Sequence, residues 1–227
     1  MRIRSRIPKL SLILVLLLLL LGAGEVRAAL RLRVVDADAV RRAAASTEAG
    51  VLRFTSEAGH EVEVVTDPGL LSISNPLFDG SFHVFPAAAV ERAVAGMGPL
   101  AGEDLAVVVY LLPGLPLPAR GSYAHGGEIF LAPGLAPWPE ATAAYTLVHE
   151  VGHVVQHRLL PERRGAGWER YLRLRGIGDG SIYHDGAVHR NRPGEIFAED
   201  FRAPVSYTHL RAHETVLDLV CRLLLEK

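Results

Sequence analysis

Short stretches in which apolar and polar residues alternate fill the region 29–85. Alternation with a period of two indicates strands with one buried face, and β-branched residues favour the same conformation. The pattern therefore predicts a β-rich N-terminal region with a single short helix at Val40–Thr47. The predicted strands are Leu30–Val35, Val51–Thr55, Glu61–Thr66 and Ser81–Phe85, of which the middle two form a hairpin.

The pattern changes after this region. Pro86–Met97 has apolar residues at helical spacing and predicts a helix, whereas Leu105–Leu112 is apolar throughout and predicts a buried strand. Proline and glycine make Pro113–Arg120 a predicted loop, and Glu128–Ala132 is a second predicted strand. The predicted fold class is α+β, with the β-rich region at 29–85 followed by a separate domain at 86–204.

A long helix is predicted from Glu140 to Leu160. Pro137 and Pro139 suit the entry to a helix, and Pro161 ends the run. Glycine lowers the stability of a helix, so its presence at position 152 calls for an explanation. One explanation is that another backbone approaches the helix closely at Gly152. Apolar residues recur along the run at helical spacing, at Tyr145, Val148, Val151, Val154 and Val155.

Two histidines within this helix carry the first chemical signal. His149 and His153 are four residues apart, so they share one helix face with their Cβ atoms about 5–6 Å apart. Two imidazoles at that spacing can bind one zinc ion. Glu150 lies beside them and can act as general base toward a metal-bound water. The pattern H-E-x-x-H therefore predicts two ligands and the base of a zinc hydrolase.

A catalytic zinc needs a third protein ligand. Metzincins take it from a histidine six residues after the second one, following a glycine, but Gln156 and Leu159 occupy those positions here. A glutamate from a later helix is the other option, and Glu195 fits it. Glu199 lies one turn further on the same face and could accept a hydrogen bond from the free ring nitrogen of a ligand histidine.

These motifs together resemble the gluzincin metallopeptidases. The stretch Glu195–Phe201 looks most like the catalytic domain of the anthrax lethal factor type and its bacterial relatives, and the resemblance covers roughly residues 86–203. It implies a zincin-like catalytic domain in which His149, His153 and Glu195 bind zinc. It also implies an edge strand that pairs with the substrate backbone, for which Glu128–Ala132 is the candidate.

The chain departs from this pattern at one position. The family has a tyrosine seven residues before the ligand glutamate, and Val188 stands there. His189 is the candidate for stabilising the oxyanion in its place, a role that needs a donor about 3 Å from the developing charge. An ordinary loop histidine is the alternative. His157, one turn past His153, is expected to be peripheral or to contact a ligand from outside the site, because a fourth ligand would close the site.

The N-terminus has the features of a signal peptide, predicted at 1–28. Basic residues precede the apolar run Leu10–Leu21, which is shorter than a membrane span, and small residues precede a cut after Ala28. We therefore expect an exported protein, periplasmic or secreted, without stable membrane insertion after cleavage. An uncleaved membrane anchor is the alternative.

The C-terminal residues 205–227 resemble no domain. Val205–Thr215 is similar to the translation of a common transposase sequencing adapter, and the residues up to Glu226 are similar to the translation of the primer that follows it. We expect that Cys221, His209 and His213 carry no function and that the natural chain continues differently past Arg202 or Ala203. A genomic read through codon 205 tests this expectation.

Composition limits the function classes further. Between Ala29 and Pro204 the chain has neither cysteine nor lysine, and it has 16 arginines against 21 acidic residues, a net charge of −5. The segment therefore has no disulfides, and its charge argues against nucleic acid as a partner. The predicted function is an exported zinc-dependent metallopeptidase acting on a peptide or protein substrate. The alternatives are a zinc-binding domain without catalysis, which binds peptide or cell wall, and a cell-wall amidase.

Overall fold

A computed structural model describes residues 30–97, 105–119, 121–160 and 165–206. The predicted signal peptide and residues 207–227 of the adapter-like tail lie outside these ranges. The described strands are β1 (Leu30–Val35), β2 (Ala45–Glu48), β3 (Val51–Thr55), β4 (Glu61–Val65), β5 (Leu105–Leu111), β6 (Leu115–Leu117), β7 (Tyr123–His125) and β8 (Glu128–Leu131). The described helices are α1 (Ala37–Ala43), α2 (Ala87–Gly96), α3 (Glu140–Leu159), α4 (Ala166–Arg175) and α5 (Pro193–Ser206). The fold is mixed α+β.

Two small sheets contain these strands. The first has the order β1-β5-β8-β7, in which β1 and β8 run parallel to β5 and β7 runs antiparallel to β8. The second has the order β2-β3-β4-β6 and is antiparallel throughout. β1 belongs to the first sheet and β6 to the second, so the N-terminal region and the rest of the chain contribute strands to both.

Three predicted strands of the N-terminal region are confirmed, and the hairpin of β3 and β4 has its predicted partners, from Val51↔Val65 to Thr55↔Glu61. The predicted helix at Val40–Thr47 is partly wrong. It begins earlier because the Asp36 carboxylate caps it, accepting a hydrogen bond of 2.7 Å from the Ala39 N–H. It ends earlier because β2 pairs with β3 from Ala45 onward.

The predicted strand Ser81–Phe85 is wrong. His83 alone forms a bridge there, exchanging backbone hydrogen bonds of 2.9 and 2.8 Å with Gly134. Pro86 follows at once and supplies the N-cap position of α2, so the segment has no room to continue as a strand. Phe85 is buried in the main core instead.

β8 is not the edge strand that Glu128–Ala132 was predicted to be. It lies between β5 and β7, and β7 forms that edge of the described sheet. The reason is the two-residue turn Gly126-Gly127, where both glycines have positive φ, 59° and 83°. Such a turn joins antiparallel neighbours directly, so it folds β7 back along β8.

The predicted loop Pro113–Arg120 contains β6, which the sequence analysis missed. β6 pairs with β4 at the end of the second sheet, with Val64 opposite Pro116. Proline lacks a backbone N–H and is therefore tolerated in an edge strand, but it hides the strand pattern in the sequence.

The main hydrophobic core lies between the first sheet and helices α2 to α5. Within it α3 and α5 pack so closely that a Cβ atom on Gly152 would lie 2.9 Å from the Ala198 Cα and 3.2 Å from the Phe201 Cβ. The predicted close approach of another backbone at Gly152 is thus confirmed. No helix in the described ranges combines the length and apolar character needed to cross a membrane.

Candidate metal centre

His149 and His153 project from the middle of α3, where the helical repeat brings them to one face. Their ring centroids are 4.9 Å apart and the rings are almost perpendicular, at 85°. Both side chains are mostly buried, with 13% and 15% of their surface exposed. Two imidazoles are therefore held side by side, with little freedom to turn away.

α5 brings the third predicted ligand to the same point. The Oε2 atom of Glu195 lies 3.2 Å from His149 Nε2 and 3.3 Å from His153 Nε2. One ligand atom from each of the three residues lies within 4.8 Å of the other two. Two imidazole nitrogens and one carboxylate oxygen, all deprotonated when they bind, are a donor set that zinc accepts. The residues fit a metal ion, although the geometry does not identify which metal.

The electrostatics of the group match this use. Burial works to raise the pKa of Glu195, but the contacts with His149 and His153 outweigh it and hold that pKa well below its usual range. Burial works to lower the pKa of His149, but the hydrogen bond that His149 donates to Glu195 and the charges of Glu150 and Glu199 outweigh it, so the pKa is raised. A raised pKa of His149 means that its imidazole holds a proton more readily in the metal-free protein, and this proton would have to leave before the nitrogen could bind a metal ion.

Glu150 is placed differently from the three ligand candidates. It is only 5% exposed, and burial raises the pKa of its carboxyl group. Its Oε2 atom has no hydrogen-bond partner among the described residues. Burying a carboxylate oxygen without a hydrogen-bond partner lowers the stability of the folded protein. Proteins tend to retain such groups at functional sites.

Glu199 is near the position predicted for it. Its Oε1 atom lies 3.0 Å from His149 Nδ1, although the two lack the alignment of a hydrogen bond. Arg202 holds the same carboxylate through its Nε, 3.1 Å from Oε2, and its guanidinium lies 3.6 Å above the ring of Tyr145. Sequence reasoning missed Arg202 and Tyr145, since neither belongs to a motif.

His189 also reaches Glu195, with its Nε2 atom 3.2 Å from Oε2, but its side chain is 71% exposed. It lies on the single 3₁₀ turn His189–Asn191 before α5 and is not in the group of three. Its predicted role at the oxyanion stays a prediction. Val188, which stands where the resembled pattern has a tyrosine, is 62% exposed. Its side chain is apolar and therefore offers no hydrogen-bond donor at this position.

The histidines outside the group occupy other surroundings. His157 lines a separate cavity of about 580 Å³ together with His125 and the Gly126-Gly127 turn. His125 in turn contacts His60, with ring centroids 4.3 Å apart. His157 is not a member of the three-residue group, which agrees with the expectation that it is no fourth ligand.

Comparisons of this chain with protein-family models, curated proteins and solved structures found no match. The resemblance to gluzincins therefore rests on the motif residues, to which the structure adds their convergence in space. The wider assignment, to a zincin-like catalytic domain, belongs with the proposal that follows.

Proposed function

We propose that this chain is an exported zinc-dependent metallopeptidase of the gluzincin type, which hydrolyses peptide bonds. The observation that carries the proposal is the convergence of His149, His153 and Glu195 beside the buried carboxylate of Glu150, whose Oε2 atom has no hydrogen-bond partner among the described residues. A structural metal site would need only the ligands. A buried carboxylate with one such oxygen, one residue from a ligand candidate, favours a hydrolytic site.

His149, His153 and Glu195 would hold the zinc ion. Zinc held by these three residues would supply Lewis acidity to the reacting carbonyl and water. Glu150 accepts the proton of the attacking water on a carboxylate oxygen and donates it to the leaving amine. Its raised pKa suits both steps, because a base that later acts as an acid works best with a pKa nearer neutrality.

The test compares Glu150→Gln with the wild-type chain in zinc content and in digestion of a mixed peptide library. We expect Glu150→Gln to retain zinc and to lose about 10²–10⁴-fold in hydrolysis, the range for a general base. Glu169→Gln is the matched control, because Glu169 is an exposed acid on α4 whose side chain is 60% accessible. Undiminished hydrolysis by Glu150→Gln would rule the mechanism out.

The same experiment separates the two alternatives. A zinc-binding domain without catalysis would hold zinc in both proteins and cleave nothing in the library. A cell-wall amidase would ignore the library and release fragments from purified peptidoglycan. Export is tested separately, by locating the full-length protein after cell fractionation and sequencing its N-terminus.

A further inference from the structure

A second cavity, of about 600 Å³, opens beside the proposed metal centre. Thr142, Thr146 and Glu150 line one side of it. These residues are spaced four apart on α3 and so form one stripe of the helix, next to the stripe that carries the histidines. The cavity therefore ends at the carboxylate that we propose as the base, and its volume lies in the range of ligand-binding clefts.

Apolar side chains from two distant parts of the chain form its walls. Phe85 and Leu77 come from the N-terminal region, and Trp138 comes from the loop before α3. The rings of Phe85 and Trp138 are stacked, with centroids 5.6 Å apart and planes at 22°. Leu77 and Trp138 remain 71% and 45% exposed, so the wall offers apolar surface that the fold itself does not cover.

Backbone hydrogen bonds fix the two parts to each other. His83 and Gly134 bond in both directions, and the Asp79 N–H donates to the Leu135 carbonyl at 3.3 Å. Gly134 has a further role, since a Cβ atom there would collide with the indole of Trp138. These hydrogen bonds thus hold the wall in place, and the Trp138 indole can occupy its position because residue 134 is glycine.

Charge decides what the cavity can take. Glu150 is the one charged side chain among the described residues that line it. An acidic side chain would meet apolar walls and a carboxylate, with no cation among the described lining residues to compensate its desolvation. A large aliphatic or aromatic side chain would instead bury its surface against Leu77, Phe85 and Trp138.

We propose that this cavity selects the substrate side chain next to the scissile bond, and that it takes a large aliphatic or aromatic one. The N-terminal region is then a specificity element, because it supplies one wall. This inference rests on the proposed function, because it takes the bound molecule to be a substrate, whereas the selectivity of the cavity can be measured without turnover.

Trp138 reports on binding directly. The chain's other tryptophan, Trp168, is only 4% exposed and lies in the core, where phenylalanine can replace it. Trp168→Phe therefore serves as the reference protein, because Trp138 is its sole tryptophan. We expect N-acetyl-phenylalanine amide and N-acetyl-leucine amide to change its fluorescence saturably. N-acetyl-aspartic acid amide and N-acetyl-lysine amide should have little effect. Equal responses to all four amides, or the strongest response to the lysine amide, would overturn the proposal.

The matched variants are Leu77→Glu and Leu174→Glu, both in the Trp168→Phe background. Both leucines are exposed, at 71% and 52%, so neither change threatens the core, but Leu174 lies on α4 and outside the cavity lining. We expect Leu77→Glu to weaken the phenylalanine and leucine amides about tenfold and Leu174→Glu to leave them unchanged. Equal loss in both variants would also overturn the proposal.

Hydrolysis then separates the two proposals. In the peptide library, cleavage should favour sites with a large apolar residue next to the scissile bond, and Leu77→Glu should lower kcat/KM at those sites about tenfold. Selective amide binding without any cleavage would sink the proposed function and leave the pocket standing. Cleavage without an apolar preference would sink the pocket and leave the peptidase standing.

Discussion

The proposed metal centre and the apolar cavity share helix α3 but are held in place by different means. The metal centre joins α3 to α5, whose backbones touch at Gly152, and its members are polar groups in direct contact. The cavity joins α3 to loops of the N-terminal region and to the segment before the helix, through three backbone hydrogen bonds at His83, Gly134, Asp79 and Leu135. Helix packing tolerates little change at the first, whereas loop residues such as Leu77 can vary at the second without disturbing the core. The proposed metal centre and the proposed specificity cavity should therefore respond to substitution independently.

The largest expected effect is loss of the metal centre alone. Glu195→Gln removes the carboxylate on which both imidazoles converge. Loss of a group that contacts a ligand without binding the metal typically lowers metal affinity about 10–100-fold, and we expect a larger fall in zinc affinity here. Competition with a fluorescent chelator measures the affinity. Binding of N-acetyl-leucine amide should survive, because Glu195 does not line the cavity. Loss of both kinds of binding would contradict the independence of the two sites.

Gly152→Ala tests the helix contact that supports the metal centre. The new methyl group would lie 2.9 Å from the Ala198 Cα, where backbone must move to admit it, so we expect a loss of about 1–3 kcal/mol in the free energy of unfolding. Chemical denaturation measures it. Gly96→Ala is the control: this helical glycine has open space around it, so alanine there should be neutral or stabilising by up to about 1 kcal/mol. A cost at Gly96 equal to that at Gly152 would show that the helix contact is not the cause.

Arg202→Ala tests whether contacts beyond the ligands tune the centre. Arg202 holds Glu199 near His149 and rests on the ring of Tyr145, so its removal frees that carboxylate. We expect zinc affinity to fall about tenfold, at the low end for outer-shell changes. Arg173→Ala, which removes an exposed partner of Glu169, should leave the affinity unchanged. An unchanged affinity in Arg202→Ala would place Arg202 outside the centre.

The smallest expected effect concerns two carboxylates of opposite behaviour. The raised pKa of Glu150 destabilises the fold above the ordinary carboxyl pKa of 4.5, whereas the lowered pKa of Glu195 stabilises it there, and this stability is lost as pH falls toward the folded-state pKa. Metal-free Glu150→Gln should therefore be more stable than wild type at neutral pH, by about 1 kcal/mol, while losing activity.

Denaturation of both metal-free proteins across a pH series checks this prediction. The advantage of Glu150→Gln should shrink as the pH falls toward 4.5 and be absent below it, where the wild-type carboxyl group is protonated in both the folded and the unfolded state. A variant that is less stable than wild type at neutral pH would show that the buried carboxylate contributes to the fold instead of weakening it.

Features that depend on spacing along one helix could be predicted from the sequence. His149 and His153 lie on one face because of the helical repeat, and Gly152 predicts a close neighbour, which the structure identifies as Ala198. Glu195 required one long-range assumption, which the motif on α5 supplied. The convergence of these residues was therefore within reach of sequence reasoning.

Features that depend on contacts between distant segments could not be predicted. Pro116 conceals β6, a strand that forms because β4 offers it an edge. Ser81–Phe85 alternates like a strand, but among the described residues its bridge partner is Gly134 alone. The cavity wall likewise needs residues from two regions to meet. The β7 strand is different: its Gly-Gly turn was a readable hairpin signal that the sequence analysis did not use.

The stripe formed by Thr142, Thr146 and Glu150 also sets a length. Eight residues of helix rise about 12 Å, farther than one aromatic side chain extends. The lining that α3 provides is therefore longer than the single side chain that we propose for the cavity. If the chain cleaves peptides as proposed, the remaining length can accommodate a further residue of the substrate, so the shortest peptides should be cleaved more slowly than longer ones with the same apolar side chain.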